Sequence, residues 1–257
     1  MEITIDGKTC EAAPGQFLME VARANGFEIP SLCHHEGLSG QACCRLCIVE
    51  VEKTSGQAGH VGGPGESGQS GKREVVVSCV YPVKENIIVY TRSEKIVRLR
   101  RSILALLKAR APEAEGDLAG YLDEYGVAGY DSRFSKDGEK CILCGLCVKA
   151  CSELGSAAIG TAGRGAEKMV STPFDELSED CLGCLACARV CPANAISFSD
   201  GEITRIVWGR TFILEKCAVC GRHYATAEEL EWLKTRLVDA DLNLDHCPDC
   251  RAKGSIS

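Results

Sequence analysis

The sequence predicts an α+β protein that is built from several small domains. Segments in which apolar and polar residues alternate, as in β-strands, are followed along the chain by segments with the apolar spacing of amphipathic helices. The 257 residues are enough for two or three small domains. Eighteen cysteines are present, and sixteen of them fall into four sets of four with the spacing of metal or cluster ligands.

Composition and charge argue against several classes of protein. The net charge is -7, so no basic surface for nucleic acid is expected. No apolar run approaches the ~18 residues of a membrane-spanning helix, and the first residues lack the pattern of a secretory signal. A disulfide framework is disfavoured because the Cys-x2-Cys spacings suit metal ligation. We therefore expect a protein of the reducing cytoplasm.

Residues 1–92 are predicted to form a small α+β domain. The first segment predicts a hairpin with a turn at Asp6-Gly7, and the next segment predicts a helix that ends at Gly26. A glycine-rich insertion, 54–72, is predicted to be a flexible loop. Three further strands are predicted at 47–53, 73–79 and 85–91.

Residues 93–135 are predicted to form a helical linker. The helix begins at Ser93, which suits an N-cap, and ends before Pro112. The basic side chains of this helix predict either a solvated face or a docking surface for a partner subunit. A less regular acidic stretch, 111–135, is expected to follow. The apolar stripe of the helix is predicted to consist of Ile96, Leu99, Ile103, Leu106 and Leu107.

Residues 136–198 are predicted to form a compact domain with two cubane iron–sulfur clusters. Two runs have the spacing Cys-x2-Cys-x2-Cys-x3-Cys, and in this pattern the fourth cysteine of each run binds the cluster of the other run. Two zinc sites are disfavoured because zinc sites rarely use a third cysteine at this spacing. One [4Fe–4S] cluster is assigned to Cys141, Cys144, Cys147 and Cys191, and the other to Cys181, Cys184, Cys187 and Cys151.

The N-terminal domain contains a further set of cysteines, which predicts a [2Fe–2S] site. The set consists of Cys33, Cys44, Cys47 and Cys79. Cys43 adjoins Cys44, and Cys44 is preferred as the ligand because it gives a Cys-x2-Cys pair. Cys10 and Cys43 are left over, and both are interpreted as buried free thiols.

Residues 199–257 are predicted to form a small C-terminal domain of the metal-knuckle type. The segment predicts a hairpin and then a helix near 227–239, which Thr226 and Glu229 begin with a capping box. Two cysteine pairs flank this helix, namely Cys217, Cys220, Cys247 and Cys250. Four thiolates in two pairs indicate a tetrahedral site, for which zinc is the preferred metal. A rubredoxin-like iron and a third [4Fe–4S] cluster remain alternatives, in that order.

The order of these parts resembles the N-terminal iron–sulfur region of the large subunit of respiratory complex I. It is also similar to the diaphorase small subunit of NAD-reducing [NiFe] hydrogenases and to the N-terminal half of multimeric, bifurcating [FeFe] hydrogenases. The matching segments lie within residues 1–198 and include CRLCIVEVE, VSCVYPVKENIIVYT, CILCGLCVKAC and CLGCLACARVCPANAI. The resemblance implies a β-grasp [2Fe–2S] ferredoxin domain, a linking helix and a bacterial-type dicluster ferredoxin domain.

The sequence departs from that family in one respect. The family has a His-x3-Cys-x2-Cys-x5-Cys segment after the linking helix, whereas residues 111–127 contain no cysteine or histidine. The cluster of that segment is therefore expected to be missing. The sequence also contains no hydrogenase active-site motif and no persuasive flavin or nucleotide fingerprint, so we expect the chain to be non-catalytic alone.

The resemblance implies an electron-transfer subunit of a multi-subunit cytoplasmic oxidoreductase. Its expected partners are an NADH- or flavin-binding subunit and the catalytic subunit of a hydrogenase or formate dehydrogenase. Ferredoxin is a further partner if the complex bifurcates electrons, which the sequence leaves open. The expected cofactors are one [2Fe–2S] cluster, two [4Fe–4S] clusters and one zinc ion. The alternatives are a free-standing carrier with several clusters and a redox-sensing interaction protein.

Overall fold

A computed structural model describes residues 1–38, 40–53, 72–128, 137–237 and 243–254. The structure divides into two compact units, Met1–Cys144 and Gly145–Ser257, which are described separately. Both units contain strands and helices, which confirms the α+β class. The predicted glycine-rich insertion lies outside the described residues except for Lys72. None of the helices in the described ranges combines the length and apolar composition that crossing a membrane requires.

A mixed five-stranded sheet forms the centre of the first unit. The strands are β1 (Glu2–Ile5), β2 (Lys8–Glu11), β3 (Ile48–Lys53), β4 (Glu74–Val77) and β5 (Ile87–Tyr90). They lie in the order β2-β1-β5-β3-β4, with β1 parallel to β5 and the other neighbouring pairs antiparallel. The three strands predicted after the first helix are therefore confirmed.

The first hairpin and the first helix follow the sequence prediction. Asp6 and Gly7 form the turn with positive φ angles of 44° and 86°, which is the backbone that favours an Asp-Gly pair. Helix α1 (Leu18–Ala24) ends before Gly26, whose φ of 84° suits a left-handed residue after a helix. The buried face of α1 joins the apolar core of the sheet.

Helix α2 (Glu94–Arg110) confirms the predicted linking helix but corrects its apolar stripe. Ser93 is the N-cap, and its hydroxyl accepts a hydrogen bond from the Ile96 N–H at 3.3 Å. Leu106 is 56% exposed, although the prediction places it in the stripe. The prediction is wrong because it leaves an arginine out of the buried row. That row contains Ile96, Arg100 and Leu104, each 0% exposed.

A further helix, α3 (Gly116–Glu124), lies where the sequence predicts a less regular stretch. Its acidic side chains are exposed, whereas Leu118 and Leu122 are buried one turn apart. Tyr125 follows the helix and is also buried. The prediction is wrong here because the acidic composition masks an apolar pair at i and i+4 spacing.

The second unit begins within the dicluster segment, at Gly145. It contains helices α4 (Leu146–Leu154) and α5 (Ala186–Arg189). Between them lies a two-stranded hairpin of β6 (Gly160–Ala162) and β7 (Met169–Ser171). This hairpin occupies the long gap between the two cysteine runs.

The second unit ends with an antiparallel sheet in the order β11-β10-β9-β8. Its strands are β8 (Phe198–Asp200), β9 (Thr204–Val207), β10 (Arg210–Lys216) and β11 (His223–Thr226). Helices α6 (Ala227–Arg236) and α7 (Pro248–Gly254) follow. The predicted hairpin is confirmed as β9 and β10. The predicted N-cap is also confirmed, because the Thr226 hydroxyl accepts the Glu229 N–H at 3.1 Å.

Candidate iron–sulfur and metal sites

The four cysteines assigned to the [2Fe–2S] site are all buried, namely Cys33, Cys44, Cys47 and Cys79. Two backbone N–H groups point at their sulfur atoms. The Cys44 N–H donates to Cys33 Sγ at 3.3 Å, and the Leu32 N–H donates to Cys44 Sγ at 3.4 Å. Donors in these positions stabilise a thiolate, which is the form that binds iron. These residues therefore fit a buried cluster.

Cys43 differs from its neighbour Cys44 in exposure. Cys44 is 6% exposed, whereas Cys43 is exposed and its thiol donates to the Cys144 carbonyl oxygen at 3.1 Å. Burial therefore favours Cys44 as the ligand, in agreement with the spacing. The interpretation of the two spare cysteines as buried thiols is right for Cys10 and wrong for Cys43. Ala42, which precedes Cys43, has a positive φ of 53°.

Cys47 and Cys79 form the second pair of this set. The Cys79 thiol acts as a hydrogen-bond donor and lowers the pKa of Cys47 to about 7, although burial opposes this change. The Ser78 hydroxyl and N–H both donate to the Cys47 carbonyl oxygen, at 2.7 Å and 3.2 Å. The segment that carries Cys79 is thereby fixed against the Cys47 loop.

A buried arginine lies behind the Cys47 loop. The Arg100 guanidinium donates to the carbonyl oxygens of Leu46 at 3.1 Å and Ile48 at 2.8 Å, which flank Cys47 in the sequence. A third donor reaches the Tyr125 hydroxyl at 3.1 Å. Within the described ranges these are the partners of Arg100, and none of them is a carboxylate. An anionic cluster held by Cys47 is suited to balance this buried charge.

Sequence reasoning missed Arg100, although its position contains a signal. Arg100 lies four residues after Ile96 and four before Leu104, so the three side chains share one face of the helix. A charged residue in an apolar row is seldom fully buried unless it is paired. Such a row predicts either an exposed break in the apolar face or a buried cation with a specific function.

The two cysteine runs of the dicluster domain share one local backbone path. The residue two positions after the first cysteine has a positive φ in both runs, 56° at Leu143 and 65° at Gly183. The residue after the second cysteine also has a positive φ, 77° at Gly145 and 61° at Leu185. A helix then begins and carries the third cysteine of each run. The sequence repeat is therefore also a repeat of left-handed turns, which direct successive N–H groups inward.

Cys151 interacts electrostatically with the second run. Burial raises the pKa of Cys181, Cys184 and Cys187, and negative charge on Cys151 raises each pKa further. Cys151 also packs against the apolar core that contains Cys181. The assignment of Cys151, Cys181, Cys184 and Cys187 to one cluster stays a prediction from the crossed pattern. Thiols in such surroundings need a cationic centre to hold them as thiolates, which a bound iron–sulfur cluster would supply.

Arg210 of β10 holds the start of the second run. One of its guanidinium nitrogens lies within hydrogen-bond distance of three carbonyl oxygens, those of Ser178 at 3.2 Å, Glu179 at 2.8 Å and Cys181 at 3.0 Å. Another nitrogen pairs with the Glu228 carboxylate at 3.1 Å. The C-terminal sheet therefore fixes the backbone that leads into the second cluster loop.

The next residues of this loop also accept hydrogen bonds from side chains of the C-terminal sheet. Arg205 of β9 donates to the Gly183 carbonyl oxygen at 3.0 Å, and the Thr226 hydroxyl donates to the Leu182 carbonyl oxygen. A Cβ atom at Gly183 would lie 2.8 Å from the Phe212 ring, so only glycine fits there. The loop and the C-terminal sheet form one packed structure.

The first cubane assignment, to Cys141, Cys144, Cys147 and Cys191, remains a prediction from the spacing. Two of these sulfur atoms accept local backbone hydrogen bonds. The Leu143 N–H donates to Cys141 Sγ at 3.4 Å, and the Ala195 N–H donates to Cys191 Sγ at 3.3 Å.

The four cysteines of the C-terminal set converge on one point. The sulfur atoms of Cys217, Cys220, Cys247 and Cys250 all lie within 4.8 Å of one another. Cys220 Sγ and Cys247 Sγ are 3.8 Å apart, which is too long for a disulfide. A tetrahedral site with metal–sulfur bonds of about 2.3 Å has sulfur atoms at about this separation. The predicted set is therefore a candidate metal site in the structure.

Hydrogen bonds prepare this set for a metal ion. The backbone N–H groups of Cys220 and Cys247 lower the pKa of Cys217 to about 6. Arg222 donates to Cys247 Sγ at 3.4 Å and to the Asp249 carboxylate at 2.5 Å. The pKa of Cys247 is lowered as well, whereas that of Cys250 is raised to about 12, chiefly by the hydrogen bond with Cys247. Thiolates are the donors that cations such as zinc prefer.

Two stretches of the chain match known domain families. Residues 1–94 match the family described as a 2Fe-2S iron-sulfur cluster binding domain. Residues 136–198 match the family described as a 4Fe-4S dicluster domain. The chain therefore contains one segment similar to [2Fe–2S] cluster-binding domains and one segment similar to 4Fe-4S dicluster domains.

Its curated relatives are parts of redox enzymes. The chain is 29% identical to the NADP-reducing hydrogenase subunit HndD of Solidesulfovibrio fructosivorans, over 76% of this chain and 36% of that protein. It is 28% identical to the NADPH-Fe(3+) oxidoreductase subunit alpha of Geobacter sulfurreducens, over 90% of this chain and 28% of that protein. It is 26% identical to the NADH-ubiquinone oxidoreductase 75 kDa subunit of Reclinomonas americana, over 81% of this chain and 31% of that protein. The chain spans about a third of the length of these relatives.

A solved structure shows the same similarity. A chain of the NAD+-reducing [NiFe]-hydrogenase in the H2-reduced state matches with a TM-score of 0.60 and 26% identity, over 76% of this chain and 85% of that chain. Together these findings confirm the predicted resemblance to the complex I large subunit and to hydrogenase iron–sulfur subunits.

Proposed function

We propose that this chain is the electron-transfer subunit of a multi-subunit oxidoreductase. It relays electrons between an NADH-linked flavin subunit and the catalytic subunit of a hydrogenase or formate dehydrogenase. The observation that carries the proposal is the presence of a [2Fe–2S] domain and a [4Fe–4S] dicluster domain in one chain. Relatives that share these parts are subunits of an NADP-reducing hydrogenase and of NADH-ubiquinone oxidoreductase.

The proposed cofactors are one [2Fe–2S] cluster and two [4Fe–4S] clusters at the cysteines assigned above. Such clusters supply one-electron redox chemistry when they are bound. The chain buries the thiolates, aims backbone N–H groups at sulfur and places the charge of Arg100 behind Cys47. The N–H groups and the buried cation favour the more negative, reduced state and so raise the reduction potential, whereas burial lowers it.

For the C-terminal set we propose a structural zinc ion. In the described part of this region the small buried cluster consists of Ala225, Leu230 and Leu244. A core of this size contributes little to folding, so a bound metal is expected to supply most of the stability. Zinc in a site with four cysteines holds structure and transfers no electrons.

Isolation of the chain from its native cells under anaerobic conditions tests the proposed function. We expect the chain to co-purify with an identified flavoprotein and an identified metal-containing catalytic subunit. NADH should reduce the clusters in this assembly but not in the separated chain, because the sequence of the chain contains no persuasive flavin or nucleotide fingerprint.

The same preparation distinguishes the alternatives. A cluster-loaded monomer that reduces diverse acceptors without companions would contradict the subunit function and identify a free-standing carrier. An assembly whose copy of this chain contains no iron would contradict the cluster assignment.

A further inference from the structure

Trp208 occupies a strained turn beside the second cluster loop. Residues 208 and 209 form the two-residue connection between β9 and β10, because Val207 pairs with Arg210. Their φ angles are positive, 51° at Trp208 and 74° at Gly209, as in a type I′ turn. Asn or Asp is favoured at the first position of such a turn, and a bulky residue with positive φ is a strained outlier. Strain of this kind is retained where the side chain has a function.

The Trp208 side chain packs among the predicted cluster ligands. It lies against an apolar core that contains Cys181 and is joined by Cys151. Its Nε1 atom is buried and has no hydrogen-bond partner of normal geometry within the described ranges. A buried indole N–H normally has an acceptor, so this one requires an explanation.

The scaffold around Trp208 is rigid. Arg205 and Arg210 flank the turn in sequence, and both donate to carbonyl oxygens of the loop from 178 to 183. Movement of the turn relative to the loop would break these hydrogen bonds. The orientation of the indole toward the loop is therefore built into the fold.

We propose that Trp208 is a positioning residue for the second [4Fe–4S] cluster, in which a sulfur atom of the cluster or of its cysteine ligands accepts the hydrogen bond of the buried indole N–H. The donor stabilises the additional negative charge of the reduced cluster and so raises its reduction potential. The inference rests on the cluster assignment within the proposed function, but it is tested on the isolated full chain without partners.

An anaerobic redox titration followed by electron paramagnetic resonance tests the inference. Trp208→Phe keeps an apolar ring and removes the donor. One [4Fe–4S] centre should show a reduction equilibrium constant that is lower by about three- to tenfold. A tenfold change corresponds to about 59 mV for one electron. The other [4Fe–4S] centre and the [2Fe–2S] centre should keep their potentials and so serve as internal references.

The second tryptophan provides the matched control. Trp232 lies on α6, with the Arg236 guanidinium 5.2 Å from its ring centroid, and Trp232→Phe should change none of the potentials. A measurement on the unmodified chain avoids any folding defect of the variant. Tryptophan labelled with ¹⁵N at the indole nitrogen should give a magnetic coupling to a reduced [4Fe–4S] centre.

Two results would overturn the inference alone. One is a fully loaded Trp208→Phe chain with the potentials of the unmodified protein, and the other is a labelled chain without nitrogen coupling. The absence of any reducible cluster would contradict the proposed function as well.

Discussion

Replacing Arg100 with methionine is expected to destabilise the first unit strongly. Methionine fills a similar volume but has no hydrogen-bond donors. The carbonyl oxygens of Leu46 and Ile48 and the Tyr125 hydroxyl would lose the partner that they share. Each unpaired buried group costs about 1–3 kcal/mol, so the loss of three partners should lower the free energy of unfolding by at least about 3 kcal/mol. Denaturant unfolding of the full chain measures this change.

The same substitution should lower the reduction potential of the [2Fe–2S] site. Arg100 is a buried cation whose donors contact the carbonyl groups on either side of Cys47. Reduction adds a negative charge, which a nearby cation stabilises in a medium of low dielectric constant. Loss of the cation should decrease the reduction equilibrium constant on the order of tenfold, or about 59 mV.

Two further variants separate charge from hydrogen bonding. Arg100→Lys keeps the positive charge but loses the fork of donors. The reduction potential of the [2Fe–2S] site should therefore stay close to that of the unmodified chain, while the free energy of unfolding falls. Arg98→Met removes an exposed charge from the same helix and should alter neither quantity strongly. If Arg100→Met left the potential unchanged in a loaded protein, the electrostatic function would be wrong. Equal shifts for Arg98→Met would show a general effect of net charge instead.

Replacing Cys247 with serine is expected to release the metal from the C-terminal set. Cys247 is 0% exposed and accepts a hydrogen bond from Arg222. Apparent binding free energies of structural zinc in small domains are about 10–16 kcal/mol, which exceeds what a three-residue apolar cluster supplies. The C-terminal residues should therefore lose protease resistance, and zinc should fall from about one ion per chain to near zero.

The loss should extend to the second cluster. The C-terminal sheet supplies Arg210 and Thr226, which hold the carbonyl groups of the loop that carries Cys181. Loosening this sheet should shorten the lifetime of that cluster in air, measured by the decay of its visible absorbance. Cys10→Ser is the control, because Cys10 is buried outside all four sets. Full zinc content and unchanged protease resistance in Cys247→Ser would contradict the structural function of the site.

Local signals explain most of what the sequence predicts correctly. The Asp6-Gly7 turn, the Ser93 N-cap and the Thr226 N-cap each depend on residues within a few positions of one another. The Cys-x2-Cys spacings are local as well, since one short loop must direct its thiolates to a common point. Such features require no knowledge of distant contacts.

The environments of Arg100 and Trp208 could not be predicted from the sequence because they depend on contacts with residues outside their own segments. Arg100 is buried because carbonyl groups about fifty residues earlier in the chain accept its hydrogen bonds. Trp208 belongs by composition to a predicted strand, but the pairing of Val207 with Arg210 makes it a turn residue. Both functions depend on partners that a single segment does not reveal.

The choice between Cys43 and Cys44 shows the same limit on a smaller scale. Their adjacency leaves the ligand ambiguous in the sequence apart from the x2 spacing. The structure separates them by burial, since Cys44 is 6% exposed and Cys43 is exposed.

Anaerobic iron analysis combined with electron paramagnetic resonance tests the central claim most directly. If the first three cysteine sets bind one [2Fe–2S] and two [4Fe–4S] clusters, the full chain should contain about ten iron ions. Reduction should then give three kinds of paramagnetic centre, one of them of the [2Fe–2S] type. A low iron content would contradict the claim that the chain transfers electrons. The same holds if zinc occupies these sets and no reducible centre is seen.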